Sequence, residues 1–541
     1  MSVAAIERQA RRIASTFLPA ALLAGLSAWL LFRLAPDVTG KSLHEDEAVA
    51  GLIAARPLGD MLHTVVLDRG GAPLHFLLAH AVLRVDASPA ALRWLSVVFA
   101  LATVPLCYDV ARRLAGAFAG ATAAALAATS QLLLVYGTFG RMYSLFAFSS
   151  ALAIDLFVRA LDDPSNRTAL MAAAAALLPL AIHPFGVFLF GAEALVAAWL
   201  WRGRALVAAL PVLAVASLAV PLLLTDLRLS DRYTPEAGED LTGGYSPAAA
   251  ALRALGGAAG GRGVVFAAFA AVALAGTLAI LRSRTAFVAL AALAILGPPL
   301  LLGIAAAIGA TSDRLGPRHL IFTLPLWTAL VAIGVTRLAT TVPARVRLLV
   351  PIAAVAAAVL APSAVSDPRT IATGEQDAVR APAAWLRTHM APGDVLYPYS
   401  PVFLAALPSS EAARSFPREP VALERALTRT PRVGSVFVSL PLPAGIRAVT
   451  VRRLRAGGVD AVAFRHWLIL RDRGPFPDGR RALGAAADTL ARIGPLITRT
   501  LRTHAFLLQL RGAACAALDG CQAVAASSST EGTSPQRSSS R

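Results

Sequence analysis

Three consecutive carboxylates stand in the segment Leu43-His44-Glu45-Asp46-Glu47-Ala48, directly after the first long apolar run of the chain. Like charges this close raise one another's pKa, so the cluster is costly unless cations or a helix N-terminus offset it. One reading is an acidic turn that starts a helix over Ala48–Ala55, because carboxylates are favoured at helix N-termini. The other is a general base, a carboxylate that takes the proton of an acceptor hydroxyl. Two segments favour the second reading: Phe139-Gly140-Arg141-Met142-Tyr143 and Asp313-Arg314-Leu315-Gly316-Pro317-Arg318-His319 each place Arg at the edge of an apolar run. Arg presents a planar fork that matches phosphate oxygens, and it would stabilise negative charge building on a departing phosphate. Snorkelling to lipid headgroups is the competing role for any Arg at such an edge.

The remaining candidates support this core. His44, Glu45, His183 and His319 lie in or beside the same turns. His44, His63, His75, His80 and His183 lack tight metal-ligand spacing, so no metal site is assigned. A divalent ion held by residues 45–47 stays open. Among the three cysteines, Cys107 sits in an apolar run, and Cys515 and Cys521 could pair in an oxidising compartment. There is no Gly-x-x-x-x-Gly-Lys motif, and Gly256-Gly257 and Gly260-Gly261 read as flexibility in a loop.

The elements that must position these residues follow from composition. The 541 residues are 57% hydrophobic and only 15% charged, with a mean hydropathy of +0.64. That excludes an ordinary soluble enzyme, which carries roughly 25% charged residues. The net charge of +18 does not imply nucleic acid, because Lys41 is the only lysine and no basic run is interleaved with aromatic residues. The arginine excess looks more like a coding bias than a binding patch.

A spanning helix needs about 20 apolar residues. By that measure eleven transmembrane helices are expected, over 16–36, 91–111, 117–136, 141–160, 168–182, 185–201, 205–224, 263–281, 285–308, 319–340 and 347–364. Arg8, Arg11 and Arg12 precede the first, which places the N-terminus in the cytoplasm. The alternate loops then hold Arg112-Arg113, Arg159 with Arg167, Arg202 with Arg204, Arg282 with Arg284, and Arg337 with Arg345 and Arg347, all basic as that orientation requires. Arg141 and Arg318 fall on the outer side and break the pattern. So does the Arg-rich C-terminal part, but long domains translocate largely regardless of charge.

The expected architecture is an α-helical polytopic protein of the plasma membrane. It has a membrane domain over 1–364 with a long first outer loop, 37–90, an extracytoplasmic α/β domain over 365–525, and a disordered tail over 526–541. Within the loop, Pro73-Leu-His-Phe-Leu-Leu-Ala-His-Ala-Val-Leu is apolar but too short to cross, so it reads as interfacial or re-entrant. In the C-terminal part, apolar runs at Asp394, Gly434 and Asp460 alternate with helical stretches over Ala383–Met390 and Arg481–Ile493.

Taken in order, Asp46-Glu47-Ala48, Gly71-Ala-Pro73-Leu-His-Phe-Leu, Ala91-Leu-Arg93-Trp94, Arg141-Met-Tyr143-Ser144, His183-Pro184-Phe185-Gly186 and Pro317-Arg318-His319-Leu320 resemble the GT-C membrane glycosyltransferases. Within that superfamily the resemblance is to family 39, the protein O-mannosyltransferase-like enzymes, with the related lipid A aminoarabinose transferases. It covers most of the membrane half. It implies a GT-C-like fold, a polyprenyl-phosphate-linked sugar donor and an inverting transfer outside the cytoplasm. Asp46 falls on the family's catalytic base, with Glu47 its supporting carboxylate; Arg141, Tyr143 and Arg318 map to donor-phosphate contacts. His319 stands where Tyr is usual, and Ala72 where paired prolines are common. The acceptor would be a lipid, a protein or a cell-envelope glycan. Two other readings stay open: a transporter or flippase of lipid-linked sugars, for which Glu193 in the sixth span is the best-placed residue, and a binding protein on an inactive scaffold.

Overall fold

The computed structural model describes residues 3–41, 43–68, 73–201, 206–230, 245–308, 315–367, 380–397, 430–441, 447–456, 458–464 and 467–497. Arg314, Cys515, Cys521 and the 526–541 tail lie outside these residues. The chain divides into two compact units, one within residues 1–377 and the other from 378 onward.

The first unit is helical. Its helices are α1 (Val3–Gly40), α2 (Glu45–Ala54), α3 (Leu58–His63), α4 (Pro73–Val85), α5 (Pro89–Ala115), α6 (Ala117–Ala128), α7 (Gln131–Tyr136), α8 (Tyr143–Asp162) and α9 (Asn166–Ile182). Then follow α10 (Gly186–Trp201), α11 (Leu206–Ser217), α12 (Ala219–Ser230), α13 (Pro247–Ala258), α14 (Gly263–Ile280), α15 (Thr285–Ala307), a 3-10 turn over Pro317–Thr323, α16 (Leu324–Thr341) and α17 (Leu349–Leu360). Six segments of the described residues are long and apolar enough to cross a membrane: Phe17–Gly40, Pro89–Ala115, Tyr143–Asp162, Gly263–Ile280, Thr285–Ala307 and Pro317–Thr341. The protein is a multi-pass membrane protein.

The other expected spans are helical but shorter or broken. The run over 117–136 stops at Thr129 and restarts after Ser130, whose hydroxyl accepts from the Leu133 N–H and caps α7. The run over 205–224 breaks at Leu218, between α11 and α12. The last expected span contains a helix of 12 residues. Among the described residues between the first two spans, the chain is helical through α2, α3, a π turn over Thr64–Asp68 and α4. Helices α14 and α16 pack backbone to backbone: a Cβ at Gly276 would collide with the Leu330 carbonyl, and one at Gly334 with that of Val272. Small residues at such a crossing let membrane helices approach where lipid supplies no hydrophobic drive. Gly256 and Gly257, expected as flexible, are instead buried in α13, where a Cβ would meet Gly261, Val365 and Leu132.

The far ends of α5 and α8 carry a network of charge. Asp109 accepts from Arg113 Nε at 2.8 Å and from Arg159 Nη2 at 2.9 Å; Asp155 pairs with Arg159 Nε at 2.8 Å, and Arg284 pairs with Asp162. Carboxylates at Asp109 and Asp155 are thereby tied to the helix ends.

The second unit is a small mixed sheet with helices. Strands β1 (Val395–Tyr397), β3 (Val436–Pro441), β5 (Trp467–Asp472) and β4 (Asp460–Ala463) lie in the spatial order β1-β3-β5-β4, with β1 parallel to β3 and the other pairs antiparallel. Strands β2 (Pro431–Val433) and β6 (Phe476–Asp478) form a separate antiparallel pair. Helices α18 (Arg380–His389), α19 (Arg447–Ala456) and α20 (Gly479–Ile497) complete the unit. Helices α18 and α20 and the runs at Asp394, Gly434 and Asp460 fall where the sequence places them, whereas α19 was not expected. Strand β5, inside the sheet, was not among those runs.

Candidate functional site

The site begins where α1 ends and α2 starts. The His44 side chain accepts from the Asp46 N–H at 3.1 Å while Glu47 Oε2 accepts from the His44 N–H at 2.9 Å, a capping box that satisfies donors at the start of α2. Asp46 and Glu47 are successive helical residues, so their side chains diverge by about 100°. That divergence gives two adjacent carboxylates opposite environments.

Glu47 points inward and is 2% exposed. Its Oε1 accepts from Arg93 Nε and from the Gly140 N–H, both at 2.8 Å; its Oε2 accepts from Arg93 Nη2 at 2.7 Å and from His44. Arg93 in turn donates through Nη1 to the carbonyls of Lys41 at 2.6 Å and Val38 at 3.1 Å. A buried charge is tolerated when it is paired and its remaining lone pairs are satisfied, and these donors do so. One ion pair thus joins the end of α1, the start of α2, the start of α5 and the turn before α8.

Asp46 points the other way, with its side chain 35% exposed. Its Oδ2 lies 4.0 Å from His44 Nδ1, and its main-chain carbonyl accepts from Arg141 Nη1 at 3.3 Å. Burial lowers the His44 pKa, against the pull of Asp46 and Glu47 and with the help of Arg318 and Arg141. His44 is therefore neutral near pH 7, and since Nδ1 accepts from Asp46, its proton sits on Nε2.

The turn Thr138–Met142 delivers Arg141. Ser96 Oγ on α5 donates to the Phe139 carbonyl at 2.6 Å and pins the turn. Gly140 fits closely there: a Cβ would come within 3.2 Å of Glu47 Oε1 and 3.3 Å of Leu92 Cβ. Arg141 Nε is buried and has no hydrogen-bond partner among the described residues.

An aromatic and histidine wall lines the other side. Tyr143 opens α8, with the Arg318 guanidinium 5.8 Å from its ring centre. His183 lies 6.1 Å from Tyr143 and 5.5 Å from His319, and stacks on Phe146 at 5.0 Å. Its Nδ1 accepts from the Phe185 N–H at 3.1 Å. His319 Nδ1 accepts from the Gly316 N–H at 3.3 Å, and Arg318 Nε stands 3.4 Å from His319 Nε2. His183 is pushed down to about 3 by burial, with Arg141 and Arg318 adding to the effect.

The structure therefore brings His44, Asp46, Glu47, Arg141, Tyr143, His183, Arg318 and His319 into one cluster within the first unit. The side chain of Glu45 lies outside the described residues. Two members were not singled out from the sequence. Arg93 stood only within the Ala91-Leu-Arg93-Trp94 motif and was given no role, though a charge at the start of a span is itself a signal. His75 on α4 is 3% exposed, its Nε2 has no hydrogen-bond partner among the described residues, and it is pushed down to about 3 by burial with Arg141 adding. Among the described residues no group of three or more His, Cys, Asp or Glu could hold a metal ion.

No protein-family model matches the sequence, and no curated protein matches it either. Solved structures do match. ArnT from Cupriavidus metallidurans in the apo state is 13% identical, with a TM-score of 0.55 over 85% of this chain and 98% of that one. The same enzyme bound to undecaprenyl phosphate is 14% identical, with the same TM-score and coverage. An Archaeoglobus fulgidus oligosaccharyltransferase, tethered through a disulfide bond to an acceptor peptide containing the NVT sequon, is 11% identical, with a TM-score of 0.51 over 79% of this chain and 69% of that one. Identities this low establish the fold alone, and the fold is GT-C-like.

Proposed function

We propose that the chain is an integral-membrane glycosyltransferase that moves a sugar from a polyprenyl-phosphate donor to a hydroxyl of an extracytoplasmic acceptor, with inversion at the anomeric carbon. The observation that carries this reading is the divergence of Asp46 and Glu47. One carboxylate is locked into the scaffold by four hydrogen bonds, and its neighbour is 35% exposed, with Arg141 on its main-chain carbonyl. Asp46 takes the proton of the acceptor hydroxyl as its oxygen attacks the anomeric carbon. The bond from that carbon to the phosphate oxygen breaks, and its electron pair leaves with the polyprenyl phosphate. Arg141 and Arg318 hold the charge that develops there, with Tyr143 beneath the Arg318 guanidinium. Glu47 acts by positioning, because its lone pairs are taken by Arg93, Gly140 and His44. His44, His183 and His319 supply a neutral wall.

The ArnT neighbour bound to undecaprenyl phosphate supports a lipid phosphate as the donor carrier. The oligosaccharyltransferase tethered to an acceptor peptide keeps a protein acceptor in view beside lipid and cell-envelope glycan. The short arginine-bearing loops at the other end of the helices support a cytoplasmic N-terminus in the plasma membrane, with the site and the C-terminal domain outside. Nucleic acid has no place in this chemistry.

Incubation of the purified chain with radiolabelled polyprenyl-phosphate sugars and a membrane extract tests the reading. Loss of label from the lipid is expected, with Arg141→Ala and Arg318→Ala raising the donor requirement more than the acceptor requirement. Label that stays on every donor offered contradicts it. The transport reading draws on Glu193, which lies buried on α10 with neither oxygen partnered among the described residues; movement of intact donor between leaflets without loss of label would favour it.

A further inference from the structure

A second polar cleft, of about 500 Å³, lies at the C-terminal end of α1. None of Asp46, Arg141, Tyr143 or Arg318 lines it. Its walls are Arg33 and Asp37 from α1, Lys41 just past its end, Leu134 and Val135 from α7, Arg262 at the start of α14, and Ser363, Val365, Ser366 and Asp367 after α17. Positions 33 and 37 are spaced by four and so share one face of α1.

The charges in this cleft are unevenly matched. Lys41 reaches both carboxylates, Asp37 at 2.6 Å and Asp367 at 2.7 Å. It is also the only lysine in a chain whose other cations are all arginine, and a compact ammonium suits a place between two carboxylates better than a planar fork. With both acids engaged by Lys41, Arg33 and Arg262 have no carboxylate partner among the described residues. Arg33 lies 5.9 Å over the Trp29 ring, and both arginines are exposed. Two guanidinium groups and the hydroxyls of Ser363 and Ser366 thus face a cavity whose own acids are spoken for.

Exposed apolar side chains stand close in sequence to the lining. Phe32, Val264 and Leu360, each within three residues of a lining residue, are 75%, 86% and 83% exposed. They belong to α1, α14 and α17, of which α1 and α14 carry segments long and apolar enough to cross a membrane. An occupant must therefore be anionic and hydrogen-bonding at one end and hydrocarbon at the other.

We propose that this cleft binds the headgroup of an anionic phospholipid, with Arg33 and Arg262 pairing with its phosphate oxygens and its acyl chains lying against Phe32, Val264 and Leu360. The site is separate from the proposed donor site. It meets the proposed catalytic scaffold at Lys41, whose carbonyl accepts from Arg93.

Native mass spectrometry of the full chain, released from nanodiscs of dioleoylphosphatidylglycerol and dioleoylphosphatidylcholine in equal amounts, tests this without reference to turnover. Wild-type protein is expected to retain phosphatidylglycerol over phosphatidylcholine. Arg33→Gln with Arg262→Gln should weaken that retention by about tenfold or more and leave phosphatidylcholine adducts unchanged, which also shows that the variant is folded. Equal retention of the two lipids, or a double variant that holds phosphatidylglycerol like the wild type, would overturn the proposal. Displacement of phosphatidylglycerol by an equal concentration of glycerol 3-phosphate would assign the site to a soluble phosphate and overturn the lipid reading as well.

Discussion

Arg93 closes on Glu47 through two parallel hydrogen bonds, Nε to Oε1 at 2.8 Å and Nη2 to Oε2 at 2.7 Å, with the two side chains 3% and 1% exposed. Four segments meet at this pair, so its loss should unseat the site as a whole. Removing one partner of a buried ion pair costs about 3–5 kcal/mol because the other charge is left uncompensated. Arg93→Ala should lower the unfolding midpoint in detergent steeply. Arg93→Lys should restore little, since an ammonium cannot make both bonds. A paired Glu47→Leu, Arg93→Leu variant should recover stability without recovering turnover. An Arg93→Ala variant that melts like the parent would remove the pair from this role.

Gly140 offers a subtler perturbation. A methyl group there presses on Glu47 and Leu92, and overpacking of this kind costs about 1–3 kcal/mol. Gly140→Ala should reduce turnover several-fold more than Gly25→Ala, where a Cβ meets nothing within 4 Å. Parallel turnover assays on the two variants decide it, and equal activities would show that the turn carrying Arg141 is not held tightly against Glu47.

Acid should destabilise the fold through the buried imidazoles. His75 and His183 are both pushed down to about 3 by burial, against an ordinary value of 6.5. The unfolded chain takes up protons below pH 6.5 and the native one does not until about pH 3. Stability is therefore full above 6.5 and falls as pH drops through that window. Thermal melts in detergent between pH 7.5 and pH 5 should show the decline, and His75→Asn with His183→Asn should flatten it. A wild-type midpoint that rises on acidification would contradict this sign.

Much of the first unit was legible because membrane helices advertise themselves by composition. Every expected span contains helix, and the motif residues Asp46, Arg141, Tyr143, His183 and Arg318 converge. What was illegible depends on partners distant in sequence. Nothing near Arg93 tells that its carboxylate lies 46 residues earlier. Nothing local to Gly256-Gly257 distinguishes a flexible loop from a close-packed helix, since glycine serves both. The break at Thr129-Ser130 lies inside an unbroken apolar run and is marked only by a capping serine. In the second unit, Trp467–Asp472 is a continuous apolar run ended by charges, a pattern that fits a strand buried on both faces as well as a short helix.

Glu193 separates the enzyme reading from the transport reading. If the buried carboxyl on α10 only fills space, Glu193→Gln should leave label release within about twofold of the parent, as a near-isosteric change at a position remote from the chemistry. If the protein moves lipid-linked sugars, the same change should block flux across reconstituted vesicles. Measuring both on one preparation distinguishes the two.

Whether Asp46 is the base is read directly by comparing Asp46→Asn with the parent chain for release of radiolabel from polyprenyl-phosphate sugar. An amide keeps the shape of the side chain but cannot take the acceptor's proton. Release should fall by at least about a hundredfold, the usual contribution of a positioned base, while the variant elutes and melts like the parent. Release by Asp46→Asn at the parent's rate would contradict it.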